Sequence, residues 1–420
     1  MKTLVFVLFV AVFLGAIDLM FASPAIATET PIVKWQTDFN SPDGRRSGIS
    51  SIDVSADGAS VYAFRSGQWN NNTGYVCNLD ANSGQVQWNK SVTLTGVSPG
   101  AVDGQGNIYI GGSTPSHTFY KYNPDLSTLL WSYTDPDAAF AYPGYILVGN
   151  DGYVYAAAHF ASVGRSSKLV KLTPQGQAIW STTSTYTGMD QYDWQIALDS
   201  HSNVFMVGQD YGVTNPNARG RLIGLRGTDG SEFLSYAVPE SNSQICGVAV
   251  DGEDNLYIAY SYNMWLPGGA GTTQQERTVI QKMNEAGQVL WSYTFPEIGM
   301  TLDSLAFWST AAIAMRDNDH FYLAYSLAQD GSRVPGVTEF DSNGNLLFNS
   351  VLSGSDNVGW GVNRLDADGD KVYLGLFKVG DDTKSRMLGI DVIPEPGTMA
   401  LIAPALLGFA GIAFRKMRKG

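Results

Sequence analysis

The chain has 420 residues, of which 44% are hydrophobic and 15% charged, and a formal net charge of −13 at pH 7. That acidity excludes a nucleic-acid partner, because a surface poor in Lys and Arg releases no counterions from phosphates and repels them. Length alone allows two or three domains, and two cysteines exclude a disulfide-stapled scaffold.

The chain opens with a targeting segment rather than with fold. Lys2 supplies a basic start, Leu4 to Leu14 an apolar run, and Ala25-Ile26-Ala27 the small residues of a cleavage point. Residues 1–27 are expected to be a signal peptide, with Thr28 as the mature N-terminus; an uncleaved signal anchor is the alternative. No cysteine precedes Cys77, so a lipid-anchored start is not expected. Cys77 and Cys246 fall on distant repeats and are expected as two buried small hydrophobes.

Residues 28–392 carry a repeat, seen most clearly between Gln244 and Pro296. Cys246–Val250, Leu256–Tyr260, Val279–Met283 and Val289–Tyr293 are short runs rich in β-branched and aromatic residues, separated by Gly/Asn/Asp turns. Four hairpin-linked strands make one antiparallel sheet, which needs neighbouring copies to bury its faces. The second strand recurs at Val61-Tyr62, Ile108-Tyr109, Val154-Tyr155, Val204-Phe205, Leu256-Tyr257, Phe321-Tyr322 and Val372-Tyr373. The fourth recurs with an anchor at Trp88, Trp131, Trp180, Phe233, Trp291 and Phe348. The missing seventh copy stands at the other end: Val33–Phe39 matches the pattern of Val289–Phe295. The expectation is an all-β, seven-bladed β-propeller in which Val33–Phe39 pairs with Met387–Val392 and closes the ring, removing a free edge.

Connections between first and second strands, and between third and fourth, are short, as in Asp103–Asn107 and Asp251–Asn255. Alternate ends of an antiparallel sheet face the same way, so these turns share one face of the ring. The other face collects the long connections, where binding usually sits. Trp69 and Asn71 lie in one of them, Tyr211 in another and Trp265 in a third. Aromatic faces beside amides suit stacking on sugars, and these four are the candidate ligand-binding residues; aromatic loops that pack on one another are the structural alternative.

The stretch Leu79-Asp-Ala-Asn-Ser-Gly-Gln-Val-Gln-Trp88, with looser copies at Thr173–Trp180 and Asn284–Trp291, resembles the repeat of quinoprotein-type (PQQ-like) propellers. The resemblance implies that the turn and the Trp dock neighbouring blades. It does not imply the quinone: quinoprotein dehydrogenases typically have eight blades and often adjacent cysteines, and this chain has neither. No cofactor is expected. Asp366, Asp368 and Asp370 are spaced like a calcium loop but lack its downstream Glu, and the segment also aligns with an ordinary hairpin turn. The four histidines show no metal-ligand spacing, and no nucleophile with its base is recognisable, so no catalytic residue is assigned.

After the last strand come Pro394, Glu395 and Pro396, an uncharged stretch over Met399–Phe414, and a basic end containing Arg415, Lys416, Arg418 and Lys419. Sixteen helical residues reach about 24 Å, short of a hydrocarbon core of about 30 Å. This order over residues 393–420 resembles the PEP-CTERM sorting signal of exopolysaccharide-producing Gram-negative bacteria. The resemblance implies that an exosortase is a partner, that the tail is held transiently in the inner membrane by one helix, and that the protein reaches the outer surface or extracellular matrix. A permanent tail anchor is the alternative. The expected function is therefore an exported binding module for exopolysaccharide or surface proteins. A propeller enzyme acting on a sugar or polymer, and a periplasmic assembly scaffold, remain as alternatives.

Overall fold

The structure, a computed structural model, describes residues 29–40, 48–66, 73–94, 100–112, 118–136, 140–160, 167–183, 195–210, 219–262, 277–296, 300–301, 312–329, 332–352, 354–381 and 383–394. The chain divides into two compact units, residues 31–391 and a unit made of both termini. Of the terminal unit, only residues 29–30 and 392–394 are described, as the ends of two strands. Among the described residues, no helix is long and apolar enough to cross a membrane. The stretch 399–414, the signal segment 1–27 and the sorting residues from Glu395 onward lie outside them.

The described residues form seven antiparallel sheets. Blade 1 comprises Gly48–Val54, Ser60–Ser66, Gly74–Asp80 and Val86–Val92, in that order. Blades 2 to 5 repeat the pattern from inner strands Gly100–Val102, Phe140–Val148, Ile196–Leu198 and Ser243–Val250. In blade 6 two short inner strands, Met300–Thr301 and Ile313–Met315, both pair with His320–Gln329. Blade 7 runs Trp360–Asp368, Lys371–Lys378, Lys384–Pro394, and its outermost strand is Glu29–Asn40. Each inner strand touches the next, and Trp360–Asp368 touches Gly48–Val54, so the cycle is closed. The sequence expectation of seven blades sealed by an N-terminal strand holds.

Blades adhere through apolar layers. Tyr109, Tyr155, Tyr257, Tyr322 and Tyr373 occupy one register position on successive second strands and are fully buried. Each ring removes ~150–250 Å² from water, so the inter-blade layers supply most of the driving force. Cys77 and Cys246 are free and buried, as expected.

Trp131, Trp180 and Trp291 dock on the next blade as the resemblance to PQQ-like repeats implies. Trp131 Nε1 donates to the Pro174 carbonyl (2.9 Å), Trp180 to Gly227 (3.1 Å) and Trp291 to Ser342 (3.0 Å). In each case the acceptor is the second residue of the following blade's third-to-fourth turn. Trp35 does the same across the seam, donating to Ala81 (3.0 Å), while Thr37 bonds Gly84 as Thr182 bonds Gly230. The turn glycine lies under the indole. At Gly176, φ is +80°, and a Cβ would come within 2.6 Å of Trp131, so both the backbone and the contact demand glycine.

One assignment shifts by a residue. In blade 4, Leu234 and not Phe233 pairs with Gly224, the register position that Trp180 holds opposite Lys171. Leu234 accordingly packs on the turn glycine Gly287. Phe233 occupies the bulge and fills the space left by the missing side chain at Gly224. The same bulge recurs in the other blades, and in each the anchor falls four residues after the turn glycine, as Leu234 does after Gly230.

Candidate functional site

Two first-to-second turns, in blades 2 and 5, are built alike. Asp251 Oδ1 accepts from the Glu253 and Asn255 amides, and its Oδ2 takes the Tyr257 hydroxyl (2.9 Å) and Lys282 Nζ (3.2 Å). Asp103 repeats this with Asn107, Tyr109 and Lys121. Burial would raise both carboxyls, but the hydrogen bonds outweigh it and hold them below the usual range. These polar groups are structural.

The axis of the ring is different. A channel of about 540 Å³ is lined by all seven inner strands. One equivalent position on each strand, defined by its partner on the second strand, is Asp53, Ala101, Leu147, Ala197, Ala249, Ala314 and Asp366. Five are apolar, and the two carboxylates stand together on blades 1 and 7, across the seam. Asp53 Oδ2 accepts from the Val102 amide of blade 2 (2.6 Å), and Asp366 Oδ2 accepts from the Val54 amide of blade 1 (3.1 Å). Inner-strand edges have no further strand to pair with, so each carboxylate satisfies an amide that would otherwise be orphaned.

Burial, and the negative charge of Asp366, push the Asp53 carboxyl well above the ordinary carboxylate range, against the Val102 and Val54 amides. Burial first, then the charge of Asp368, push Asp366 up to about 7. Tyr145 of blade 3 also lines the channel, and its hydroxyl is raised by burial with Asp366 and Asp53 adding to it, while Arg364 opposes. Burial thus raises both carboxyls that face the channel at this level. Sequence spacing missed Asp53. The signal was available by aligning Ile52-Asp53-Val54 and Leu365-Asp366-Ala367 with Ala249 and its equivalents.

The calcium-like triplet is divided among three places. Asp366 lines the channel, Asp368 lies against Gly58 of blade 1, and Asp370 pairs with Arg316 of blade 6. Among the described residues, one group has metal-ligand geometry: Asp199, His201 and Glu285, on the tight-turn face. Asp199 is already bonded to the His201 and Asn203 amides. The candidate ligand residues Trp69, Asn71, Tyr211 and Trp265 lie outside the described residues.

On the long-connection face, blade 7 carries a cleft of about 560 Å³. Its wall is Trp360, buried at 5% exposure, with Arg386 4.4 Å and Lys378 5.1 Å from the ring centre. Arg386 is fixed by a fork to Asp38 (2.5 and 2.8 Å), the Asp356 carbonyl (2.7 Å) and Asn357 (3.2 Å). Ser385, fully buried, lies behind the cleft, and among the described residues its Oγ has no hydrogen-bond partner.

Ring, channel and docking tryptophans together define a β-propeller of PQQ-like repeats. A family model described as outer membrane protein assembly factor BamB matches residues 25–215 and 72–264, together more than half of the chain, and the protein belongs to that family. No curated protein sequence matches it. Among solved structures, Kuenenia stuttgartiensis hydrazine synthase is similar at 13% identity and a TM-score of 0.55, covering 80% of this chain and 96% of that one. At that identity the likeness is one of fold, and fold does not carry activity.

Proposed function

We propose that the protein is an exported binding module of the cell surface or exopolysaccharide matrix, which holds a polysaccharide on the long-connection face. The observation that carries this is the asymmetry of the ring. Among the described residues, the connections between strands on one face are tight turns, such as 251–255 and 284–288, whereas the other face has connections such as 263–276 and the blade 7 cleft. A rigid scaffold with one variable face presents its ligand contacts there. Trp69, Asn71, Tyr211 and Trp265 belong to connections of that face and are the proposed contacts outside the cleft. Pro394, Glu395, Pro396 and the basic end are proposed to direct exosortase sorting from the inner membrane to the outer surface, and no cofactor is required. The test is retention of the mature domain on the producer's exopolysaccharide. Free elution at low and moderate salt refutes the reading.

A second reading is favoured by the Asp53–Asp366 pair. Two carboxyls raised by burial in a channel are equipment for general acid–base chemistry on a sugar or polymer. Turnover of a polysaccharide that is abolished by Asp53→Asn would replace binding by catalysis. Membership of an assembly-factor family makes a protein partner on the same face the alternative ligand.

A further inference from the structure

We infer that the blade 7 cleft is a sugar subsite that takes a neutral hexose unit of a polysaccharide chain. The inference rests on the polysaccharide reading above and adds the place and the chemistry. A cavity of about 560 Å³ falls within the usual range for small-ligand sites, ~300–1,000 Å³.

The lining alternates acceptors with donors. Asp38 and Asp356 offer carboxylate oxygens, Lys378 and Lys384 offer ammonium protons, and the exposed amides of Gln36 and Asn40 offer both. The charges balance locally: Arg386 is forked to Asp38, and Lys384 pairs with Asp381 at 2.8 Å. An anionic or cationic ligand therefore meets no net field. A hexose hydroxyl both donates and accepts, and it matches such a wall.

A further feature makes this a built site rather than a surface hollow. Trp360 and Arg386 form a stacked, hydrogen-bonded wall whose side chains are already ordered, which lowers the entropic cost of binding.

The test uses the full mature protein and an immobilised panel of glucose, galactose, mannose and glucuronate oligosaccharides, with melting temperature measured in parallel. Gln36→Ala with Asn40→Ala, both on the exposed rim, is expected to weaken binding about tenfold or more. If the unaltered protein binds and this variant binds equally well, the subsite assignment fails while the polysaccharide reading stands. If the unaltered protein binds nothing in the panel and nothing of the exopolysaccharide, both fail. Binding confined to glucuronate oligomers and lost in Lys384→Ala overturns the neutral-sugar assignment.

Discussion

Truncating Trp35 tests ring closure at one side chain. Trp35 comes from the extreme N-terminal strand, is 8% exposed, bonds the Ala81 carbonyl at 3.0 Å and covers Gly84, where a Cβ would come within 2.3 Å of the indole. Trp180 makes the same contacts within the continuous part of the ring, at 9% exposure and 3.1 Å. Removing a buried indole costs about 3–5 kcal/mol. At ~2.1 cal/mol/K per residue, unfolding a ring of about 360 residues changes entropy by ~0.75 kcal/mol/K. Trp35→Ala should therefore lower the melting temperature by about 4–7 °C. Trp35→Phe keeps the ring and loses the hydrogen bond, about 1 kcal/mol, and should lower it by only ~1–2 °C. Scanning calorimetry on the mature domain measures both, with Trp180→Ala as the internal standard. If Trp35→Ala melts within a degree of the parent while Trp180→Ala falls by several, the N-terminal strand does not seal the ring.

Stability should also depend on pH in two windows. Asp103 and Asp251 have carboxyls held below the usual range, so their contribution is lost as pH falls through that lowered range. Asp366 is raised to about 7 and Asp53 is raised as well, so the folded state holds more protons than the unfolded chain above pH ~4, and stability falls as pH rises from there through about 7. Asp53→Asn should flatten the upper limb in a series of melts from pH 4 to 8; an unchanged slope refutes the raised Asp53 carboxyl. Intact-mass measurement of the exported protein should show loss of both the signal peptide and the tail. Pro394→Ala with Glu395→Ala should leave the protein in the inner membrane, and retention of residues 399–420 in the native exported form would make the tail a permanent anchor. Trp69→Ala and Trp265→Ala should weaken retention on the exopolysaccharide by about 1 kcal/mol or more each, with melting changed within about 0.5 kcal/mol. A large stability loss with retention intact would make them core residues.

The fold was legible because a propeller writes its period into the chain. Turn residues and β-branched pairs recur at fixed places, and Val33–Phe39 was identified as a fourth strand by pattern alone. Docking by Trp131, Trp180 and Trp291 followed from the same repeat. The site was much less legible. Ser385, Asp38 and Trp360 are far apart in sequence and meet only because the two ends of the chain share one sheet. Asp53 and Asp366 look like turn-flanking acids, and only the inner-strand register places them at one level of the channel. Phe233 draws the assignment away from Leu234 because it is the aromatic neighbour, although the spacing from Gly230 points to Leu234.

What distinguishes this ring from seven equal blades is concentrated at its seam. Here Asp366 reaches from blade 7 to the Val54 amide of blade 1, Asn363 donates to the Ile49 carbonyl and Trp35 docks on Ala81. The cleft is assembled from the same two segments, residues 36–40 of the closing strand and residues 384–386 beside it. Arg386 joins them, holding Asp38 of one strand while it lies over Trp360 of the inner strand. Closing the ring and building the cleft are therefore one structural event. A blade completed from both chain ends loses its outer strand if the N-terminus detaches, and with it Asp38, the forked partner of Arg386. Buried guanidinium without that carboxylate is costly, so the cleft favours the sealed ring as much as the seal favours the cleft. A ligand that bridges Gln36 or Asn40 to Lys384 would span that seam and stabilise the ring by mass action, linking occupancy of the cleft directly to the durability of the ring.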